Sequence, residues 1–216
     1  MKRLNVIILF SLFFLLIAIP HGSAVDDGGM ISDNHNFTDY YFDCGADADG
    51  NGSADSPYKK FTDDRISDNA TIHLAGGEYV FEKGRTFSNI SFNGAGAGKT
   101  ILNGNGSKLI LNWSVSFNNI TLTNFNINNA GNLNASNVIF RQMIPTVGKQ
   151  NNIYGGAIYA SANKNIYLDN CAFLNNSAEY GGAIYINGGN LTILNSLFYN
   201  NIAYNFGGAI ASESKV

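Results

Sequence analysis

Charge, proline, cysteine and tryptophan are all scarce in this 216-residue chain: charged residues make up 13%, with 3 Pro, 2 Cys and 1 Trp. Each shortage excludes something. Two cysteines cannot build a scaffold stapled by several disulfides. Cys44 and Cys171 can pair only if folding brings their Cα atoms within about 7 Å, so a bridge and two separate thiols both stay open. The net charge of −3 provides no basic stripe for nucleic acid. Charge is also unevenly placed, since residues 25–85 hold 13 Asp/Glu against 5 Lys/Arg while residues 86–216 hold 3 against 6. The three histidines, His21, His35 and His73, have neither metal nor triad spacing.

Only one long apolar run exists, Leu4 to Ile19, and it follows the positive start Met1-Lys2-Arg3. It is short for a membrane span of about 20 residues and exits through small residues at Gly22-Ser23-Ala24. This predicts a signal peptide over 1–24, cleaved after Ala24, and a secreted or cell-surface location with no membrane span after cleavage.

The segment 25–69 is expected to be an acidic, irregular leader and N-terminal cap, with one aromatic cluster at Tyr40-Tyr41-Phe42. Asp47, Asp49, Asn51 and Asp55 alternate as in the opening of a calcium loop, but Tyr58 stands where a bidentate glutamate is needed and no helical pattern precedes them. A turn-rich loop is the plainer reading, so no metal and no cofactor are assigned. Ser56 and Pro57 fit the cap and first position of a short helix reaching Ile66, with Tyr58, Phe61 and Ile66 as a lid.

Helical periodicity is missing from the remainder, and repetition takes its place. Gly155-Gly156-Ala157-Ile158 recurs as Gly181-Gly182-Ala183-Ile184 and as Gly207-Gly208-Ala209-Ile210, each time after 26 residues. A second phrase, Asn to Phe, ends at Asn124-Phe125, then runs over Asn132 to Phe140, Asn165 to Phe173 and Asn190 to Phe198. Its turn asparagines Asn124, Asn137, Asn170 and Asn195 are spaced by 13, 33 and 25 residues. Fixed strand phrases with variable spacing predict coils of constant cross-section with loops of different length. Short strands that return at this period stack in parallel, so residues 70–216 are expected to form an all-β parallel β-helix, a solenoid incomplete at its C-terminal end. Leu191 and Ile193 should point inward and Thr192 outward; Tyr159 and Tyr185 should lie in register, and they and Trp113 read first as core or ladder fillers, with Tyr185 and Trp113 as the outward aromatic alternative. Phe173 and Phe198 should stack as a ladder, and Asn170 and Asn195 should hydrogen-bond along the axis. The half-built last coil, Gly207 to Val216, is expected to fray or self-associate.

The paired phrases Gly-Gly-Ala-Ile and Phe-x-x-Asn, the latter at Phe173 to Asn176 and Phe198 to Asn201, resemble the repeats of chlamydial polymorphic outer-membrane proteins. They are equally similar to those of adhesin-like surface proteins of methanogenic archaea, which the Asn-rich strands favour. The resemblance covers Tyr154 to Ile210 and implies a right-handed parallel β-helix displayed at the cell surface for attachment to glycans or other surface proteins. Such proteins continue for more coils and an anchoring region, so the chain is expected to be a fragment.

Catalytic chemistry finds little support. Gly94 to Thr100 imitates a phosphate-binding loop, but its first glycine is replaced by Asn93 and a strand follows. The rival reading is a polysaccharide lyase or glycoside hydrolase of the pectin-lyase-like type, which needs paired acids or a base with a cation. Residues 86–216 offer only Asp169, Glu179 and Glu213, with the single Arg141, so no catalytic residue is assigned. Asn36, Asn89, Asn112, Asn119 and Asn190 head glycosylation triplets.

Overall fold

The computed structural model describes residues 38–129, 131–143, 153–160 and 164–213. The signal-peptide reading, His21, His35 and Asn36 lie outside them. The fold is all-β apart from one 3₁₀ turn at Asp63–Arg65. In chain order the strands are β1 (Thr38–Phe42), β2 (Ala70–Leu74), β3 (Gly77–Val80), β4 (Arg85–Gly94), β5 (Thr100–Asn103), β6 (Lys108–Thr123), β7 (Asn126–Asn129), β8 (Asn132–Arg141), β9 (Ile158–Ala160), β10 (Lys164–Asp169), β11 (Ala172–Leu174), β12 (Ser177–Tyr180), β13 (Ile184–Asn187), β14 (Gly189–Leu194), β15 (Leu197–Tyr199), β16 (Ile202–Phe206) and β17 (Ile210–Glu213).

Every strand pair is parallel, and the pairs fall into three long ladders. The first ladder runs β1-β2-β4-β6-β8-β10-β14. The second runs β3-β5-β6-β8-β11-β15, and the third β4-β6-β7-β9-β13-β17. Strands β4, β6 and β8 serve two or three ladders because they bend at residues with positive φ: Asn89 in β4, Trp113 and Asn119 in β6, and Asn137 in β8. Short β12 and β16 form a separate parallel pair.

Inward positions stack column by column, because alternate residues of a strand face one side and parallel register repeats that side in each neighbour. Tyr40, Ile72, Phe92, Phe117, Ala135, Leu168 and Ile193 form one such column. Another passes through Tyr79, Leu102, Leu122, Phe140, Phe173 and Phe198. The expected phenylalanine ladder is present at its end: Phe140, Phe173 and Phe198 lie with successive ring centroids 4.7 Å apart and planes within 5°. Leu191 and Ile193 are partly buried against the core and Thr192 is exposed, as the alternation predicts.

The two glycines of the repeated phrase do different jobs. Gly155, Gly181 and Gly207 sit at φ of 64°, 63° and 68°, a region that favours glycine. Gly156 and Gly182 instead permit close approach, since a Cβ there would collide with the carbonyl oxygen of Gly182 or Gly208 in the next repeat. Around them the same bonds recur: Ala157 N–H donates to Ala183 O and Ala183 N–H to Ala209 O, both at 2.7 Å. At Gly208 the space is open, because no further repeat covers it among the described residues.

Several expectations are corrected. The leader is not irregular throughout, because Thr38–Phe42 is a strand in register with β2, so the stack starts well before residue 70. Its Asp- and Gly-rich surroundings, and a burial that rises from Thr38 to Phe42 without alternating, hide this short strand in the sequence. No helix forms from Ser56 to Ile66; apart from the 3₁₀ turn, backbone bonds fix this stretch as an edge cover, with Tyr58 N–H donating to Tyr41 O and Asp43 N–H to Tyr58 O, both at 2.9 Å. The lid residues themselves do pack: Ile66 is buried, and Phe61 meets Phe42, Tyr79 and Phe81 edge-on at 5.1–5.3 Å. Asn124 does not belong with Asn137. Register pairs Asn118 with Ser136 and Ile120 with Val138, which makes Asn119 the equivalent corner. Asn137 Nδ2 donates to Asn119 Oδ1 at 2.7 Å and Asn170 Nδ2 to Asn137 Oδ1 at 3.3 Å, but Asn195 Nδ2 turns to Asp169 Oδ1 instead of Asn170. Cys44 and Cys171 are unpaired thiols.

The two ends differ. The N-terminal end is covered by the aromatic lid, whereas β14 to β17 each pair on one side only among the described residues. Leu197, Tyr199, Ile202, Tyr204 and Phe206 are all exposed there.

Candidate functional site

With apolar side chains committed inward, chemistry is confined to what the strands point outward. On the first ladder, two outward rows run along the stack. One holds Asp39, Thr71, Ser91, Ser116, Asn134, Tyr167 and Thr192. The other holds Tyr41, His73, Asn93, Asn118, Ser136, Asp169 and Leu194. Seven strands at about 4.8 Å per step give this face a length of about 29 Å. The rows contain no Lys or Arg; they consist of hydroxyls, amides, two tyrosines, one imidazole and two carboxylates, with Leu194 as the one aliphatic side chain.

The N-terminal part of the face is the most organised. His73 Nε2 lies 3.0 Å from Asp39 Oδ1, and the Tyr41 ring stacks on the imidazole at 4.4 Å with planes 8° apart. A chain of polar contacts continues from there. Ser116 Oγ donates to Ser91 Oγ at 2.8 Å, and Asn93 Oδ1 accepts from Asn118 Nδ2 at 2.8 Å and from Ser91 Oγ at 3.4 Å. Two depressions open on this region. A cleft of about 360 Å³ is bordered by Tyr41, His73 and Asn93 together with Ala54, Pro57 and Ala95 of the flanking loops. A smaller one of about 120 Å³ lies among Thr71, Asn89, Ser91, Ser114 and Ser116. Both use outward residues of the same two strands, β2 and β4, two positions apart, which is about 7 Å along a strand.

Beside the smaller depression stands Trp113, 73% exposed. Register between β4 and β6 slips here, with Ser88 opposite Asn112 but Ile90 opposite Val115, so Trp113 is carried by a bulge. Its φ of 59° is unusual for a bulky residue, since Asn69 and Asn89 occupy the equivalent corners of neighbouring strands. Gly131 below leaves room for this backbone, because a Cβ there would strike the main chain of Trp113. An exposed indole held in a costly conformation marks a functional position more strongly than exposure alone does.

The sequence-stated candidates are distributed differently. Asp49 of the proposed calcium loop is taken up by Arg65 in a two-pronged ion pair at 2.6 and 2.8 Å, and its Oδ1 also accepts the backbone N–H of Lys59. These bonds, chiefly those from Arg65, hold the Asp49 carboxyl well below the usual carboxylate range. Asn51 Oδ1 caps the N–H of Ser53. Asp49 thus ties the loop to the stretch 59–65 while Asn51 caps the turn itself, and Asp47, Asp49, Asn51 and Asp55 form no ligand cage among the described residues. Tyr159 and Tyr185 are in register, with rings 5.9 Å apart, and Tyr185 is buried, as the ladder-filler reading has it and not the outward alternative. Its hydroxyl donates to Glu213 Oε2 at 2.9 Å, and removal from water together with that carboxylate pushes the phenol up to about 12. Gly94 to Thr100 is a turn between β4 and β5, tied by the buried Thr100, whose Oγ1 accepts Ala95 N–H and donates to Ala75 O. Asn89 Nδ2 donates to Asn69 Oδ1 at 3.2 Å, so that glycosylation triplet serves a corner ladder.

The two carboxylates of the face are not a catalytic pair. Asp39 and Asp169 lie on strands five steps apart, about 24 Å, whereas glycosidic hydrolysis needs a separation of about 5–10 Å. Asp39 and His73 escaped sequence reasoning because 34 residues separate them and β1 is weakly patterned. The aromatic cluster Tyr40-Tyr41-Phe42, set in register against the alternating Ala70–Leu74, is the signal that points to them. The chain matches no protein-family model, no curated protein and no solved structure in comparisons with each.

Proposed function

We infer that this protein is a right-handed parallel β-helix exported to the cell surface, where it serves as a non-catalytic, adhesin-like attachment module. The observation that carries the reading is the division of the first-ladder strands into an apolar inward column and two outward rows made mostly of hydroxyl, amide, aromatic and carboxylate groups, continued over seven strands. A rigid, extended, hydrogen-bonding surface suits adhesion, in which many modest contacts add along a line. The wide separation of Asp39 and Asp169 counts against glycan cleavage by the two-carboxylate route. The Gly-Gly-Ala-Ile and Phe-x-x-Asn phrases support surface display through their resemblance to adhesin-like repeats.

The test uses beads coated with the chain from Val25 onward. They should adhere to cells bearing surface glycans more than beads carrying an unrelated protein, and should release neither unsaturated nor reducing ends from polysaccharides. Reproducible turnover abolished by Asp169→Asn would overturn the reading in favour of a lyase or hydrolase.

A further inference from the structure

We propose that the N-terminal part of the outward face is a binding site for a neutral oligosaccharide, with one sugar ring in the Tyr41–His73–Asn93 cleft and another against Trp113. The proposal rests on the attachment reading and assigns that surface its partner. Four observations carry it. The larger cleft, about 360 Å³, is at the lower end of the range for small-molecule sites. It is open on one side, as a chain longer than one ring requires. Aromatic surface is supplied twice, by Tyr41, one face of which is taken by His73, and by the exposed indole of Trp113, and aromatic faces left open pack against the C–H faces of sugar rings.

Hydrogen-bonding groups are fixed in advance. Asn93 Oδ1 is occupied by Asn118 and Ser91, which orients the amide and leaves its Nδ2 as a donor toward the cleft. Asp39, whose side chain is 55% exposed, uses Oδ1 for His73 and keeps Oδ2 for a hydroxyl. Groups positioned this way lose little freedom on binding.

Charge selects the class. The outward rows hold no Lys or Arg, and the carboxylates of Asp43 in the cleft and of Asp39 beside His73 would repel a uronic or sulfated chain. Nucleic acid is disfavoured on the same ground. The backbone strain at Trp113 then has a function: its bulge turns the indole outward beside the Ser/Thr/Asn depression, instead of leaving an asparagine corner as in β4.

Calorimetry and immobilised-glycan binding should be run with tetra- to hexasaccharides of glucose, mannose, galactose and N-acetylglucosamine, and with oligogalacturonate as the acidic counterpart. At least one neutral series should bind, and the acidic one should not. Trp113→Ala and Tyr41→Ala should each weaken binding by about fivefold to tenfold, while Tyr204→Ala at the far end should not. Because Tyr41 also packs on His73, Trp113→Asn, which restores the corner residue of β4, gives a variant expected to fold normally and still lose affinity. Adhesion of the beads without binding of any neutral series would overturn this site and leave the attachment reading standing. Neutral binding indifferent to Trp113→Asn and Tyr41→Ala would also overturn it. Loss of both adhesion and sugar binding would remove both.

Discussion

Asn176 is the side chain whose replacement should cost this fold most for its size. It is fully buried, and it closes the Phe-x-x-Asn phrase by turning inward. Its Oδ1 accepts the N–H of Met143 at 3.0 Å; its Nδ2 donates to Phe140 O at 3.1 Å and to Asn201 Oδ1 at 2.9 Å. Asn176→Ala would therefore leave a buried amide and a buried carbonyl of the preceding coil unpaired. At about 1–3 kcal/mol for each orphaned group, the expected loss is about 2–6 kcal/mol. That is a large part of the total stability of an ordinary domain, about 5–15 kcal/mol.

The last repeat contains its own control. Asn201 occupies the same place in the phrase, donates to Phe173 O at 2.9 Å, and is only half-buried at the open end. Water can replace its bonds, so Asn201→Ala should cost about 0.5–1.5 kcal/mol. Urea unfolding followed by far-UV circular dichroism measures both, with the slope checked because stacked repeats can lose cooperativity. Asn176→Asp should be no milder than alanine, since it removes the donor and buries a charge. Equal losses for Asn176→Ala and Asn201→Ala, or a loss below about 0.5 kcal/mol for the first, would refute the assignment of Asn176 as an internal clamp.

Two further outcomes are expected. Burial pushes the Cys171 thiol up to about 11, while in the unfolded chain it ionises near its ordinary value of about 8.5. The folded state is thus favoured fully below about 8.5, and stability should fall as pH rises from there to about 11. The fall should be shallower in Cys171→Ala, and iodoacetamide should spare Cys171 in the native protein at pH 8. At the other end, the run from Tyr180 to Ser212 carries no charged residue, and its exposed edge bears Leu197, Tyr199 and Phe206. We propose that the chain self-associates through this end, so that sedimentation coefficients rise with concentration and Leu197→Lys with Phe206→Lys abolishes the rise. A wild-type chain that stays monomeric at high concentration with protected C-terminal amides would refute it.

Much of the scaffold was legible in the residues, because the information is local. Leu191-Thr192-Ile193 alternates with the period of a strand, and Gly181-Gly182 repeats at a fixed distance, so inside, outside and turn could be assigned without tertiary data. Phe173 and Phe198 stack for the same reason: equal coils place equal residues above each other. The upstream part resisted because its coils are unequal. Along the row from Tyr41 to Leu194 the offsets between paired residues are 32, 20, 25, 18, 33 and 25. No single period predicts them, so phrase spacing alone points to Asn124 where register puts Asn119.

What the sequence alone determined is which side chains must be hidden and where the chain must turn, since burial and backbone preference are properties of individual residues and near neighbours. What only the tertiary structure decided is which outward residues meet. Asp39 reaches His73, Trp113 rises on a bulge, and Tyr185 is covered by Tyr154 and Tyr159 instead of facing solvent. Outward polar residues carry no hydrophobic period, and their juxtaposition follows from loop lengths that close each coil. The strand pattern is therefore readable from the chain, whereas the candidate site exists only once the strands pair in parallel register.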